Sequence, residues 1–169
     1  GKPALDRLVF RPMPDTSSAI AALQSGELDI VAGLSADAAA QVQGTPDVEV
    51  RSETGVRAFY VVLDTINGGP IADKRVRQAL NYALDVPELT QSLYGGHAHQ
   101  LSTYVPRQAF GYDPSLEPYV HDEAKAKALL AEAGFADGFT MKLNAASSNA
   151  DFVQAIAGQL AKVGVTAEV

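Results

Sequence analysis

The chain has 169 residues, 47% of them hydrophobic and 20% charged, with a formal net charge of -7 and no cysteine. Such a composition argues against disorder and is long enough to bury a core, while the acidic balance, with no segment dominated by lysine and arginine, argues against a nucleic-acid or anionic-membrane partner. The missing cysteine excludes disulfides, thiolate nucleophiles and cysteine-held zinc.

No run approaches the ~20 apolar residues of a membrane span, and no basic-then-apolar segment opens the chain. The expectation is a cytosolic protein, or a processed or cut form. Residues 5–10, LDRLVF, alternate loosely between Pro3 and RPMPD and predict a strand. A helix follows over TSSAIAALQS, capped by Asp15 or Ser17, with Ala19, Ile20 and Leu23 on one face and Gly26 at its stop. LDIVAGL, residues 28–34, then predicts a short apolar strand. Strand, helix and strand within about thirty residues predict a βαβ unit with parallel strands. Ser35 starts a second helix, SADAAAQVQ, which GTPD ends, and VEVR (residues 48–51) predicts another strand.

The period changes at Gly55. GVRAFYVVLDT is β-branched and aromatic and predicts a strand buried on both faces that crosses a domain. INGGPIAD turns the chain into DKRVRQALNYALD, where Val76, Ala79, Leu80, Ala83 and Leu84 form one apolar stripe and Asp73 is the expected N-cap. Asp85 ends this helix and caps the next, because DVPE has an acceptor at the cap, proline in the first turn and glutamate at the third position. Two helices therefore meet at a tight corner. Residues 95–120 are rich in Gly, Pro and Tyr and predict an ordered loop region. Asp122 caps EAKAKALLAEA, which stops at Gly134 with Phe135 following. FTMKLNA predicts a strand. Ser148 and Asp151 open a last helix with Phe152, Val153, Ile156, Leu160 and Val163 toward the core; Gly164 closes it and VTAEV begins a strand. A chain running from one strand to another predicts an excised portion of a longer protein.

The residue types that carry chemistry form no strong constellation. His97 and His99, two apart on an extended segment, place both imidazoles on one side, a pattern that suits nickel, zinc or copper. Two ligands are too few, and Asp113, Glu117 and His121 follow no fixed metal spacing, so polar loop residues are the expectation and no metal or cofactor is assigned. Ser102, His97 and Asp113 could be named as a hydrolase triad, but no G-x-S-x-G elbow is present. GGPIADK lacks the spacing of a phosphate loop. Arg75 and Arg77 have too few basic neighbours for a phosphate site. Arg77 and Tyr82 lie beside the apolar stripe, where long stems cover core surface and polar ends reach carbonyls or carboxylates such as Asp73.

The succession GKPALDRLVFRPMPD, AIAALQSGELDIVAGL, GVRAFYVVLDT, GPIADKRVRQALNYALDVPEL with GGHAHQLSTYVP, GYDP, HDEAKAKALLAEAGFADGF and QLAKVGVTAEV resembles the extracytoplasmic solute-binding proteins of peptide and nickel ABC importers, solute-binding family 5. The resemblance covers nearly the whole chain in family order. It implies an α/β fold, a fragment of a two-lobed periplasmic-binding-protein-like architecture with mixed sheets flanked by helices. By resemblance, residues 1–54 are a late portion of the first lobe, 55–69 a hinge or crossing strand and turn, and 70–169 the first part of the second lobe. It implies no catalytic step, and capture of di- or oligopeptides in an interlobe cleft for an ABC permease in the membrane. The location would be periplasmic or extracellular, with a lipid anchor conceivable on the full-length protein. Nickel, haem or oligosaccharide binding by the same fold is the runner-up, and a hydrolase the more distant one. By resemblance, Phe59, Tyr60 and Asp64 at the end of the hinge strand, and Gly96, His97, Ala98, Tyr104 and Pro106 in the loop after the second helix of the corner, face the cleft. Asp64 stands where the family usually has asparagine, so an anionic ligand is disfavoured nearby. Unpaired edges and apolar faces in a fragment also predict a homodimer or strand exchange.

Overall fold

A computed structural model describes residues 4–169. The chain divides into two compact units, Gly1–Ser52 and Glu53–Val169.

The first unit is built on two helices, α1 (Thr16–Gln24) and α2 (Ala36–Val42). Both begin where the sequence places a cap: the Asp15 carboxylate accepts from Ser18 N at 2.8 Å, and Ser35 Oγ accepts from Ala38 N at 3.2 Å. Ile20, Ala38 and Val42 form a small core with Leu34 and Val48 against it. The three strands expected at residues 5–10, 28–34 and 48–51 do not form, and neither does the βαβ unit. The cause is the absence of a ladder: a strand exists only where a neighbour takes its N–H and C=O groups. Without one, Leu5, Leu8, Val9 and Phe10 remain exposed, Phe10 at 85%.

The second unit holds the larger core. Helix α3 (Lys74–Tyr82) follows a short 3₁₀ turn, Pro70–Ala72, and starts at Asp73, whose carboxylate accepts from Arg75 N at 2.8 Å. Its buried Val76, Ala79 and Leu80 lie at the spacing of one helical face. Helix α4 (Val86–Tyr94) starts at the expected corner, with Asp85 accepting from Glu88 N at 2.9 Å and Pro87 in the first turn. Helix α5 (Glu123–Glu132) is capped by Asp122 and packs along α3. It ends as predicted, with Gly134 at φ 88° and Phe135 N donating to Leu130 O at 2.8 Å.

Strand β1 (Phe139–Lys142), helix α6 (Ala150–Ala161) and strand β2 (Val165–Glu168) complete the unit. β1 and β2 pair in parallel, Phe139 opposite Val165 and Lys142 opposite Glu168, with α6 as the crossover. The strands are brought together where Gly138 passes Gly164: a Cβ at Gly138 would lie 1.9 Å from the Gly164 carbonyl oxygen. Val76, Leu80, Leu89, Leu130, Ile156, Leu160 and Val165 share one buried cluster. The crossing strand expected over residues 55–65 takes part in no ladder among the described residues, and it is not buried on both faces: Val56, Tyr60 and Val62 are exposed. No helix of the described residues is long and apolar enough to cross a membrane.

Candidate binding surface

Residues 59–64 lie in the second unit, and although no strand forms, their exposure alternates with a period of two. Phe59 and Val61 are 41% and 38% exposed, against 64% and 80% for Tyr60 and Val62, and Leu63 packs on the core. Odd positions thus turn inward and even positions outward. The Phe59 ring sits 5.8 Å from Phe152 and 5.9 Å from Tyr94, and the Arg57 guanidinium lies 4.7 Å above it.

On the outward side, Tyr60 meets Tyr104 with ring centroids 6.2 Å apart and planes tilted by 53°. Tyr104 comes from the loop after α4 and is 71% exposed. Two aromatic faces from distant parts of the chain are therefore presented together. That is a surface able to hold an apolar or planar group.

Asp64 is engaged by its own turn. Its Oδ1 accepts from Ile66 N at 3.0 Å and Asn67 N at 3.3 Å, and its Oδ2 accepts from the Asn67 side-chain amide. The Asn67 amide, followed by the two backbone N–H groups, holds the carboxyl below its ordinary value. The residue carries a charge, but its lone pairs organise the bend that leads through Gly68 and Gly69, both at positive φ, into α3.

The loop candidates are more dispersed. Gly95 and Gly96 close α4, Gly95 N bonding to Gln91 O and Gly96 N to Thr90 O, each at 3.1 Å, and His97 N donates to Tyr94 O at 2.9 Å. Gly96, His97, Ala98 and Pro106 thus follow from a helix end and a turn, with Ala109 N donating to Pro106 O. Among the described residues, no three His, Asp or Glu side chains converge as a metal-holding group. Asp113, named with His97 and Ser102, has its carboxylate taken by Ser115 N and Oγ at 2.9 and 2.7 Å.

A groove of about 570 Å³ runs between residues 59–64 on one wall and residues 141–145 on the other, with Phe152, Val153 and Ile156 also lining it. Phe59, Tyr60 and Asp64 border it; the loop candidates do not. The sequence reading missed Tyr94 and Phe152 as ring partners of Phe59. The signal was present, since Phe152 opens the apolar face of α6, but nothing local says which ring meets which. The arginines are also resolved: Arg77 Nη1 donates to Ile71 O and Ala72 O at 2.9 and 2.8 Å, while Arg75 grips both Asp73 oxygens.

The sequence profile of the bacterial extracellular solute-binding proteins, family 5 Middle, matches residues 1–169. Heme-binding protein A of Haemophilus influenzae is 33% identical over 139 residues, which covers 82% of this chain and 25% of that protein. The glutathione-binding protein GsiB of Escherichia coli O1:K1 / APEC is 30% identical over 172 residues, covering 100% of this chain and 33% of the relative. Among solved structures, the ABC transporter-associated periplasmic binding protein DppA from Helicobacter pylori, in complex with the peptide STSA, superposes with a TM-score of 0.77 at 28% identity, over 94% of this chain and 31% of that one. The chain thus spans between a quarter and a third of the length of these relatives.

Proposed function

The chain belongs to the bacterial extracellular solute-binding proteins of family 5, and from that premise we propose that the whole protein captures di- or oligopeptides in a cleft between two lobes and delivers them to an ABC permease. Binding is non-covalent and no bond in the ligand is broken. Residues 1–54 belong to the first lobe, 55–69 cross between lobes, and 70–169 open the second; the separation into compact units after Ser52 supports a boundary there. The protein works in the periplasm or outside the cell, where a lipid anchor would hold it near the permease.

The observation that carries the reading is the exposed pair Tyr60 and Tyr104, which supports a ligand surface at that segment and loop. With Asp64 on the same outward register, the surface favours an uncharged ligand group over an anionic one. Peptide is favoured as the ligand because one relative is named for glutathione, itself a peptide, and another is seen holding STSA. Haem is the second reading, favoured by the 33% identity to a protein named for it.

Titration calorimetry of the full-length protein with di- and tetrapeptides, glutathione and haemin separates these. Saturable heat with peptide recovered unaltered supports the proposal. Peptide cleavage, or heat with haemin alone, removes it.

A further inference from the structure

We propose that Asn67 is a site of spontaneous deamidation, in which its side-chain amide is lost to attack by the backbone nitrogen of Gly68 and an aspartate or isoaspartate is left at position 67. Of the four asparagines in the chain, Asn67 alone is followed by glycine; Asn81 precedes Tyr82, and Asn144 and Asn149 each precede an alanine. With no Cβ on the following residue, the attacking nitrogen reaches the amide carbon with no side chain in its path. The local structure leaves that approach free. Asn67 and Gly68 are both exposed, the Gly68 N–H makes no hydrogen bond among the described residues, and a Cβ at Gly68 would meet nothing within 4 Å. Asn81, by contrast, lies inside α3 with its amide donating to Arg77 O at 2.8 Å.

The reaction needs only water. The Gly68 nitrogen gives its proton to solvent and bonds to Asn67 Cγ; the Cγ–Nδ2 bond breaks, and the nitrogen leaves as ammonia after taking a proton from solvent. One water then opens the five-membered imide at either carbonyl, giving aspartate or, with the main chain rerouted through the side chain, isoaspartate. In both products an amide that donates becomes a carboxylate that only accepts.

That exchange falls on a contact the turn depends on. Asn67 Nδ2 donates to Asp64 Oδ2, while Asp64 Oδ1 accepts from the N–H groups of Ile66 and Asn67. The Asn67 amide is also the largest cause of the lowered Asp64 carboxyl. After deamidation two carboxylates meet where donor and acceptor met, and like charges repel. Isoaspartate also lengthens the main chain by one methylene, directly before the two positive-φ glycines, Gly68 and Gly69. The turn into α3 therefore loosens irreversibly as the protein ages.

Incubation of the full-length protein at pH 8 and 37 °C measures the conversion, by mass spectrometry of tryptic peptide 58–74 against peptide 143–162, which holds Asn144 and Asn149. The expected rate at Asn67 is at least about tenfold above that at either of the others. Equal rates overturn the proposal. The consequence is read in fresh full-length protein carrying Asn67→Asp, by hydrogen exchange over residues 64–69, corrected for the intrinsic rates of the two sequences. Exchange there should be at least about threefold faster than in the parent. The double variant Asp64→Asn, Asn67→Asp returns a donor and an acceptor to the pair and should recover the parent rate. Parent-like exchange in the single variant, or a double variant no slower than the single one, overturns the proposal. Neither measurement involves a transport ligand, so the proposed binding function stands or falls separately.

Discussion

Arg75 Nη1 donates to the carbonyl oxygen of Glu132 at 2.6 Å, tying the first turn of α3 to the last turn of α5 across 57 positions of sequence. The same guanidinium holds both oxygens of Asp73, which caps α3. One exposed ion pair thus organises the meeting of two helix ends, with the cation placed where the α5 dipole favours it.

This arrangement sets a pH dependence. The Arg75 side chain, then its backbone N–H, hold the Asp73 carboxyl at about 2 against an ordinary 3.8. A lowered carboxyl contributes stability that is fully present above about pH 4 and is lost as pH falls toward about 2. Asp73→Asn, which keeps an acceptor at the cap, should therefore melt below the parent at pH 5 and together with it near pH 2. A constant gap across that range would mean the charge is not the source.

Gln159 is buried, and its side chain clasps the α3–α4 corner. Its Oε1 accepts from Asp85 N at 2.8 Å, and its Nε2 donates to Asp85 O at 3.4 Å and to the Glu88 carboxylate at 3.1 Å. Gln159→Leu leaves the Asp85 N–H without its partner and should lower stability by about 1–3 kcal/mol in urea unfolding. Gln159→Glu should cost more at pH 7 than at pH 4, because it sets a carboxylate against Glu88. Equal costs at the two pH values would show that Gln159 acts through packing alone.

Gly138 and Gly134 share a left-handed backbone, at φ 80° and 88°, but differ in space. A Cβ at Gly134 meets nothing within 4 Å, whereas at Gly138 it strikes the Gly164 carbonyl. Gly134→Ala should cost only the backbone preference, about 1–2 kcal/mol. Gly138→Ala should exceed that and weaken the β1–β2 pairing. Equal losses in denaturant melts would contradict the close approach.

Tyr60 and Tyr104 should act on the ligand as a unit. In the full-length protein, Tyr60→Ala and Tyr104→Ala are each expected to weaken peptide binding by up to about tenfold, and the double variant by less than the product. Calorimetry reads this directly. Single variants with undiminished affinity would move the binding surface elsewhere.

The asymmetry between what was legible and what was not follows from range. Asp15, Ser35, Asp73, Asp85 and Asp122 each cap a helix at the position the sequence indicates, and Gly134 with Phe135 ends one as read. These signals act within five residues. Residues 5–10 alternate loosely and residues 28–34 form a short apolar run, yet neither segment joins a ladder among the described residues. An alternating pattern says which face is apolar and not which neighbour will take the hydrogen bonds.

By itself, then, the sequence determined the helices, the caps of the first five, the two strands at 139–142 and 165–168, and the family, whereas the last helix starts after Asn149 with no side-chain cap and not from a cap at Ser148 or Asp151. Only the tertiary structure decided that Tyr60 meets Tyr104, that Asp64 spends its carboxylate on its own turn, that Gln159 closes the corner, and which extended segments are paired. The physical reason is that capping and periodicity are local free energies written into neighbouring residues, whereas ring contacts and ladders depend on partners brought close by the rest of the fold.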